Sequence, residues 1–562
     1  MKKISTLAVA LMTLGSLVTP AQADVVSTET LPSGYYKITS AAADRTRKNV
    51  FNDFSVSGNV NNVTLVGVAE GNTNNYIWHI TNDGTSTTIG IVNGQGTPIT
   101  REDGNHGALG VKSYSTLTPK NVTSLESILF GEYLHNPGNT DGNHTYGDYM
   151  GVAVYNGFTG DNTRWNLTKV DVDAKAYTVS VVTTSTSTTK PYITRTLADG
   201  TKEYAFNSGF FISDANLEET SLTASTLEGY ETPNITVDNT AKTITAYYAK
   251  FDDLTALITS ATKLLNTRGI GYPLSASTAH IQLAAVIDAA SGITAASSAK
   301  ECAEAYTHLQ NAITNYRSTK TDIQLPEDGK VYRIYAKWAD ETKVYAVNDG
   351  KSVETGYYVS GSTTTREDKS DLWVVQKDGA AFKFASAKAD RLFIYKDQKG
   401  KASTVDFYMT LSRLSGLGVL NITTDNAFTT NICMKKDGDC TGQYTRSGTA
   451  YNGTWSTEWF FEEVPTSEFA GQTVNFAASA DGHCYATLNL PYASTLPEGV
   501  TAYTATVEGT TVNLTEYKTA GSVLPANTPV LLTATSEGSK TFAPAPYVAA
   551  EGTGFKGTLA AT

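Results

Sequence analysis

Two polar loops, both rich in aromatic residues, hold most of the side chains that could do chemistry. Between Lys436 and Trp455 the chain brings together Asp437, Asp439, Gln443, Tyr444, Arg446, Tyr451, Asn452 and Trp455. Between Glu132 and Asp161 it gathers Tyr133, Asn136, Asp141, Asn143, Tyr146, Asp148, Tyr149, Tyr155 and Asn156. A sugar is recognised by an aromatic face laid against the apolar side of a pyranose, with planar polar groups taking its hydroxyls in pairs, and both loops have that inventory. The same Tyr, Asn and Gly residues also build plain surface turns, and loop tyrosines serve a protein interface equally well.

Catalytic and metal chemistry find fewer parts. Glu132, His135, Asp141, His144 and Asp148 are the nearest approach to a ligand cluster, but their spacing is that of solvated loop polarity, so no metal or other cofactor is expected. No G-x-S-x-G elbow, H-E-x-x-H helix, phosphate-binding loop or dinucleotide fingerprint occurs. Glycoside hydrolysis needs two carboxylates facing each other across a cleft. The adjacent pair Glu462 and Glu463 points to opposite faces of a strand, because successive side chains alternate. No catalytic residue is assigned. Of the four cysteines, Cys433 and Cys440 could close a short disulfide loop, while Cys302 and Cys484 read as buried thiols.

The elements that would position these loops occur twice. One stretch opens with LPSGYYKI at Leu31, passes through YIWHI at Tyr76 and finishes with TRWNLTKV at Thr163; another opens with LPEDGKVYRI at Leu325, passes through LWVVQKDG at Leu372 and finishes with TEWFFEEV at Thr457. Each has a Gly-aromatic start, a central Trp strand about 40 residues later and a final Trp strand about 85 residues further on, so one fold used twice is expected. Alternation around Trp165 and Trp459 reads as half-buried strand with the indole in the core. Both candidate loops precede the final Trp strand of their repeat.

Between the repeats, residues 177 to 249 read as strands, with a Thr/Ser run at 183 to 189. Residues 251 to 318 then change period. Leu254, Leu257, Ile258, Ala261, Leu264 and Leu265 recur at helical spacing, as do Leu283, Val286, Ile287 and Ala290, and then Cys302, Ala305, Tyr306, Leu309, Ala312, Ile313 and Tyr316. Three amphipathic helices are predicted, with Ser298 and Glu301 as a capping box for the third. After residue 467, alternating strands and the turns Pro-Glu-Gly and Pro-Ala-Asn-Thr-Pro predict a sandwich.

Both Trp modules resemble the ricin-type β-trefoil, in which a Trp-containing strand recurs and short hairpins close a small barrel. The three-fold Q-x-W pattern of that family is absent, since Tyr76, Thr163, Asp371 and Thr457 stand two residues before the tryptophans, and its sugar-binding positions do not carry over. Residues 222 to 250 resemble small immunoglobulin-like β modules of exported Bacteroidales proteins. The helical segment resembles the FIVAR-type three-helix repeat. GHCYATLNLPYASTLPEGVTAYTATV, from Gly482, resembles the C-terminal β domain of secreted Bacteroidales glycoside hydrolases and surface adhesins. Further strands follow in those relatives; here the pattern stops at FKGTLAAT, which leaves either a truncated chain or a shorter domain.

Lys2 and Lys3, the apolar run from Ile4 to Val18 and the small-x-small site Ala21-Gln22-Ala23 predict a cleaved export signal over 1–23, and hence a secreted or cell-surface protein. No later stretch is apolar enough to insert in a membrane. The length of 562 residues gives about four domains by the usual ~150 per domain. Apolar residues at 40% can fill several cores, and only 17% are charged. The net charge of −12, without a basic run, excludes electrostatic capture of nucleic acid.

The expected class is mainly β and multidomain. The expected segments are a β-trefoil-like module over 24–172, an immunoglobulin-like spacer over 173–250, a three-helix bundle over 251–320, a second β-trefoil-like module over 321–466 and a β-sandwich over 467–562. The reading of the whole is a secreted, non-catalytic, lectin-like protein whose partners are glycans or surface glycoproteins. A glycoside hydrolase, or an accessory part of one, and a structural adhesin stalk are the alternatives.

Overall fold

A computed structural model describes residues 31–41, 49–53, 64–68, 77–82 and 89–96, short strand pieces between 116 and 154, and residues 164–555 apart from 186, 188, 354–355, 389–408, 424–429, 439–444, 448–452 and 551. The described chain is mainly β, in many separate sheets, with three α-helices: α1 (Phe251–Asn266), α2 (Thr278–Ser291) and α3 (Ala299–Ser318). It divides into two compact units, residues 1–257 with 290–307 and residues 258–289 with 308–562.

In the first unit seven strand segments lie on one ring-like pairing path whose ends are Thr116–Leu117 and Pro119–Lys120. Gly34–Ser40 pairs with Ile77–Thr81, which pairs with Ile89–Asn93. That strand pairs with Thr116–Leu117, and Pro119–Lys120 pairs with Ile128–Phe130. Ile128–Phe130 meets Arg164–Val170, which returns to Gly34–Ser40. Three registers mark the ring: Tyr36 opposite Trp78, Ile89 opposite Leu117 and Ile128 opposite Trp165. Period-2 alternation buries Tyr36, Ile38, Trp78, Ile80, Trp165 and Leu167.

A seven-stranded segment follows in the same unit. Phe210–Ile212, Ala176–Thr183, Thr243–Tyr248 and Asn234–Asp238 form a four-stranded sheet, and Lys202–Phe206, Tyr192–Thr196 and Leu222–Ala224 form a three-stranded one. Tyr177, Val179, Ile244 and Tyr248 from the first sheet share a core with Ile193, Ala205 and Leu222 from the second, so two layers pack face to face. The first and last strands pair in parallel. The start of α1 is fixed to this segment through Thr184, whose hydroxyl accepts from Lys250 N at 2.9 Å and donates to Asp253 at 3.0 Å. The capping box at α3 forms as expected: Glu301 N donates to Ser298 Oγ at 3.2 Å, and Ser298 N donates to Glu301 Oε2 at 2.8 Å. Cys302 is buried, and burial raises its thiol pKa, so the unreactive neutral thiol is favoured.

The second unit contains a second ring of the same design. Val331–Lys337 pairs with Leu372–Asp378, and that strand with Ala381–Ser386. The bridge from Phe382 to Met409 leads to Thr410–Ser412, which pairs with Asn421–Thr423. The bridge from Leu420 to Trp459 leads to Phe460–Glu463, which pairs back with Val331–Lys337. Tyr332 opposite Trp373, Phe382 opposite Met409 and Leu420 opposite Trp459 repeat, in order, the three registers of the first ring, and all six side chains meet in one core.

Leu372-Trp373-Val374-Val375 is apolar throughout because both of its faces are covered. Trp373 and Val375 point into the ring, while Leu372 and Val374 share a second core with Phe476, Leu488, Leu532 and Phe542. Those four come from the C-terminal segment, whose eight strands form one path. Gln472–Ala478 divides its pairing on that path, residues 472–476 with Gly538–Pro544 and residues 477–478 with Cys484–Leu488. Arg333, almost fully buried, ties the ring to the linker between the two segments, since Nε donates to Asp371 at 2.8 Å and the Nη groups donate to Glu468. Among the described residues no helix is long and apolar enough to cross a membrane.

Candidate ligand-binding site

The second ring carries a cavity of about 410 Å³ at one end, lined by the segment after α1 (Arg268, Gly269, Ile270, Pro273, Leu274, Ser275), the approach to the first ring strand (Gln324, Glu327), Tyr332 on that strand, and Phe461 and Glu463 on its neighbour. Backbone bonds build the wall from two distant stretches of chain. Gly271 N donates to Gln324 O at 2.8 Å, Gln324 N to Tyr272 O at 2.7 Å and Leu274 N to Asp322 O at 2.7 Å. Gly271 stands at φ +79°, and a Cβ there would lie 2.7 Å from Val419 N, so only glycine lets the wall approach the turn between Thr410–Ser412 and Asn421–Thr423 so closely.

Aromatic and polar groups meet inside. The Tyr332 and Phe461 rings are edge to face, 6.2 Å apart at 78°. Tyr332 Oη accepts from Glu327 N at 3.0 Å. Burial pushes the Tyr332 pKa to about 12, so the phenol stays neutral. Glu463 is held by Lys330 at 3.0 Å and remains half exposed, whereas its neighbour Glu462 pairs on the other face of the strand with Lys343 at 3.5 Å. Arg268 donates to Leu265 O and lies 3.4 Å from His280 Nε2. An aromatic pair bordered by an amide, two carboxylates and a guanidinium can pack an apolar ligand face and hydrogen-bond polar groups beside it.

The loop residues singled out from the sequence are placed only in part. Trp455 is half-buried on a short strand, opposite Lys435. Asp437 is exposed at a turn pinned by Gly361 N donating to Gly438 O at 2.9 Å and by the Lys436–Asp340 ion pair. Arg446 lies on a strand opposite Asn431, and Tyr146 pairs with Tyr149 across a hairpin. Asp439, Gln443, Tyr444, Tyr451 and Asn452, with Tyr133, Asp141, Asn143 and Tyr155, lie outside the described residues. So does Cys440, the expected partner of the buried Cys433. None of the placed loop residues lines the cavity. The cavity residues escaped the sequence reading because they come from three stretches separated by up to about 190 residues; only the aromatic alternation of KVYRI and TEWFFEEV pointed toward two of them. Among the described residues no group of three His, Cys, Asp or Glu side chains could hold a metal ion.

No family model matches the chain, and no curated protein matches it. Among solved structures it is similar to a mosquitocidal holotoxin, at 12% identity over 85% of this chain and 57% of that one, with a TM-score of 0.20. It is also similar to the Polyporus squamosus lectin bound to a human-type influenza-binding epitope, at 9% identity over 64% of this chain and 92% of that one, with a TM-score of 0.19. At such TM-scores neither likeness carries weight, and the rings and the cavity stand on their own pairings and contacts.

Proposed function

We propose that the chain is an exported modular binding protein that takes carbohydrate, free or on a glycoprotein, in the cavity beside Tyr332 and Phe461. The carrying observation is the meeting of that aromatic pair with Gln324, Glu327, Glu463 and Arg268 around about 410 Å³. In this reading both rings are β-trefoil-type barrels, supported by their three repeated pairings, and correspond to the segments 24–172 and 321–466. The segment 173–250 is a two-layer spacer, 251–320 a three-helix bundle and 467–562 a C-terminal β-sandwich. Export rests on the signal pattern of residues 1–23; a secreted protein whose N-terminus is Asp24 would support it, and retention of the signal would overturn it. Binding of the full mature chain to arrayed glycans tests the function. A saturable signal for a defined glycan class is expected, and no signal for any overturns the reading.

A second reading, glycoside hydrolysis, is favoured by one observation: Glu327 and Glu463 line the same cavity. New reducing ends after incubation with polysaccharide, lost in Glu463→Gln, would select it over pure binding.

A further inference from the structure

We infer that Arg413 is the centre of a buried site for a small monovalent anion, at the start of the turn between Thr410–Ser412 and Asn421–Thr423 in the second unit. Arg413 follows the strand Thr410–Ser412 and has no exposed surface. Its Nη2 donates to Arg317 O in the last turn of α3, while neither Nε nor Nη1 has an acceptor. The same turn of α3 brings up Tyr316, fully buried, whose hydroxyl also lacks a partner. The hydroxyls of Ser412 and Ser415, on either side of Arg413 in the chain, are buried and unpartnered as well. Tyr316 and Arg413 are close enough to act on each other's charge: burial raises the phenol pKa, and Arg268 and then Arg413 oppose that rise.

The charge balance decides what belongs there. A guanidinium stays protonated at any ordinary pH, and an uncompensated buried charge with unmade hydrogen bonds is costly. The carbonyl end of α3 supplies about half of a negative charge. Among the described residues no carboxylate acts on Arg413, where burial and Tyr316 are the influences on its charge. Water could take the free donors but would leave the charge unanswered; an anion does both, with the Tyr316 hydroxyl as a further donor.

Bromide is the probe. In the full-length protein at constant ionic strength, replacing gluconate by bromide is expected to raise the melting temperature saturably. The rise should vanish in Arg413→Met and shrink in Tyr316→Phe. A crystal grown in bromide should show an anomalous peak within hydrogen-bonding distance of the Arg413 guanidinium. Absence of a saturable rise, or bromide-grown crystals with only water against the guanidinium, overturns the site. If Arg413→Met does not fold, the wild-type titration and the anomalous map decide alone.

Discussion

Trp459 repeats the setting of Trp373: each is fully buried at the closing pair of its part of the ring, and each indole Nε1 donates at 2.9 Å to a carbonyl 27 residues upstream, Ile432 for Trp459 and Ala346 for Trp373. If the two occupy equivalent places in one pseudo-symmetric barrel, Trp373→Phe and Trp459→Phe should cost similar amounts. About 2–4 kcal/mol each is expected, from lost packing and an orphaned buried carbonyl. Denaturant unfolding of the second unit's transition in each variant measures this. Costs differing several-fold would mean that the symmetry of pairing is not a symmetry of energy.

The wall of the cavity depends on the close approach at Gly271. Gly271→Ala should lose about 1–3 kcal/mol, from a strained φ and from overpacking against Val419, and should weaken ligand binding more than it lowers the melting temperature would explain. A Gly271→Ala protein of wild-type stability and affinity would show that the wall tolerates displacement.

Acid should loosen the connection between the second ring and the C-terminal strands. Hydrogen bonds from Arg333 hold the Glu468 carboxyl below the usual range, against the opposing effect of its burial. A depressed folded-state pKa gives stabilisation that is complete above the unfolded value, near ~4.3, and that is lost as pH falls through the folded value. Melting curves from pH 6 to 3 should therefore fall more steeply for wild type than for Glu468→Gln below about pH 4.5. Parallel curves would remove Arg333–Glu468 as an acid-sensitive tie.

At α3 the reciprocal bonds of Ser298 and Glu301 predict that Ser298→Ala costs about 1 kcal/mol, and Ser298→Asp much less. Equal losses in both, read by thermal unfolding, would assign the effect to something other than the cap.

What the sequence made legible was whatever local periodicity or repetition encodes. The helical spacing of Leu254 to Tyr316 produced three helices, and the capping box fixed the start of the third. The duplicated Trp strands produced the same pairings twice, and Glu462 and Glu463 take opposite faces as alternation requires. The cavity was not legible, because Arg268, Gln324 and Phe461 are joined only by tertiary contacts such as those of Gly271 with Gln324 and with the 418–419 backbone. Arg413 was equally hidden: nothing in a Ser-Arg-Leu-Ser turn marks the arginine as fully buried against the end of a helix.

Calorimetric titration of the full-length protein with its best-binding arrayed glycan, wild type against Glu327→Ala, tests the central claim most directly. The substitution keeps the backbone N–H that Tyr332 accepts and removes the carboxylate of a residue that lines the cavity. An affinity loss of about tenfold or more, with an unchanged melting temperature, is the predicted result, since a lost hydrogen bond to a charged group is worth about 1.5–3 kcal/mol. Wild-type affinity in Glu327→Ala would place the glycan elsewhere and contradict the account.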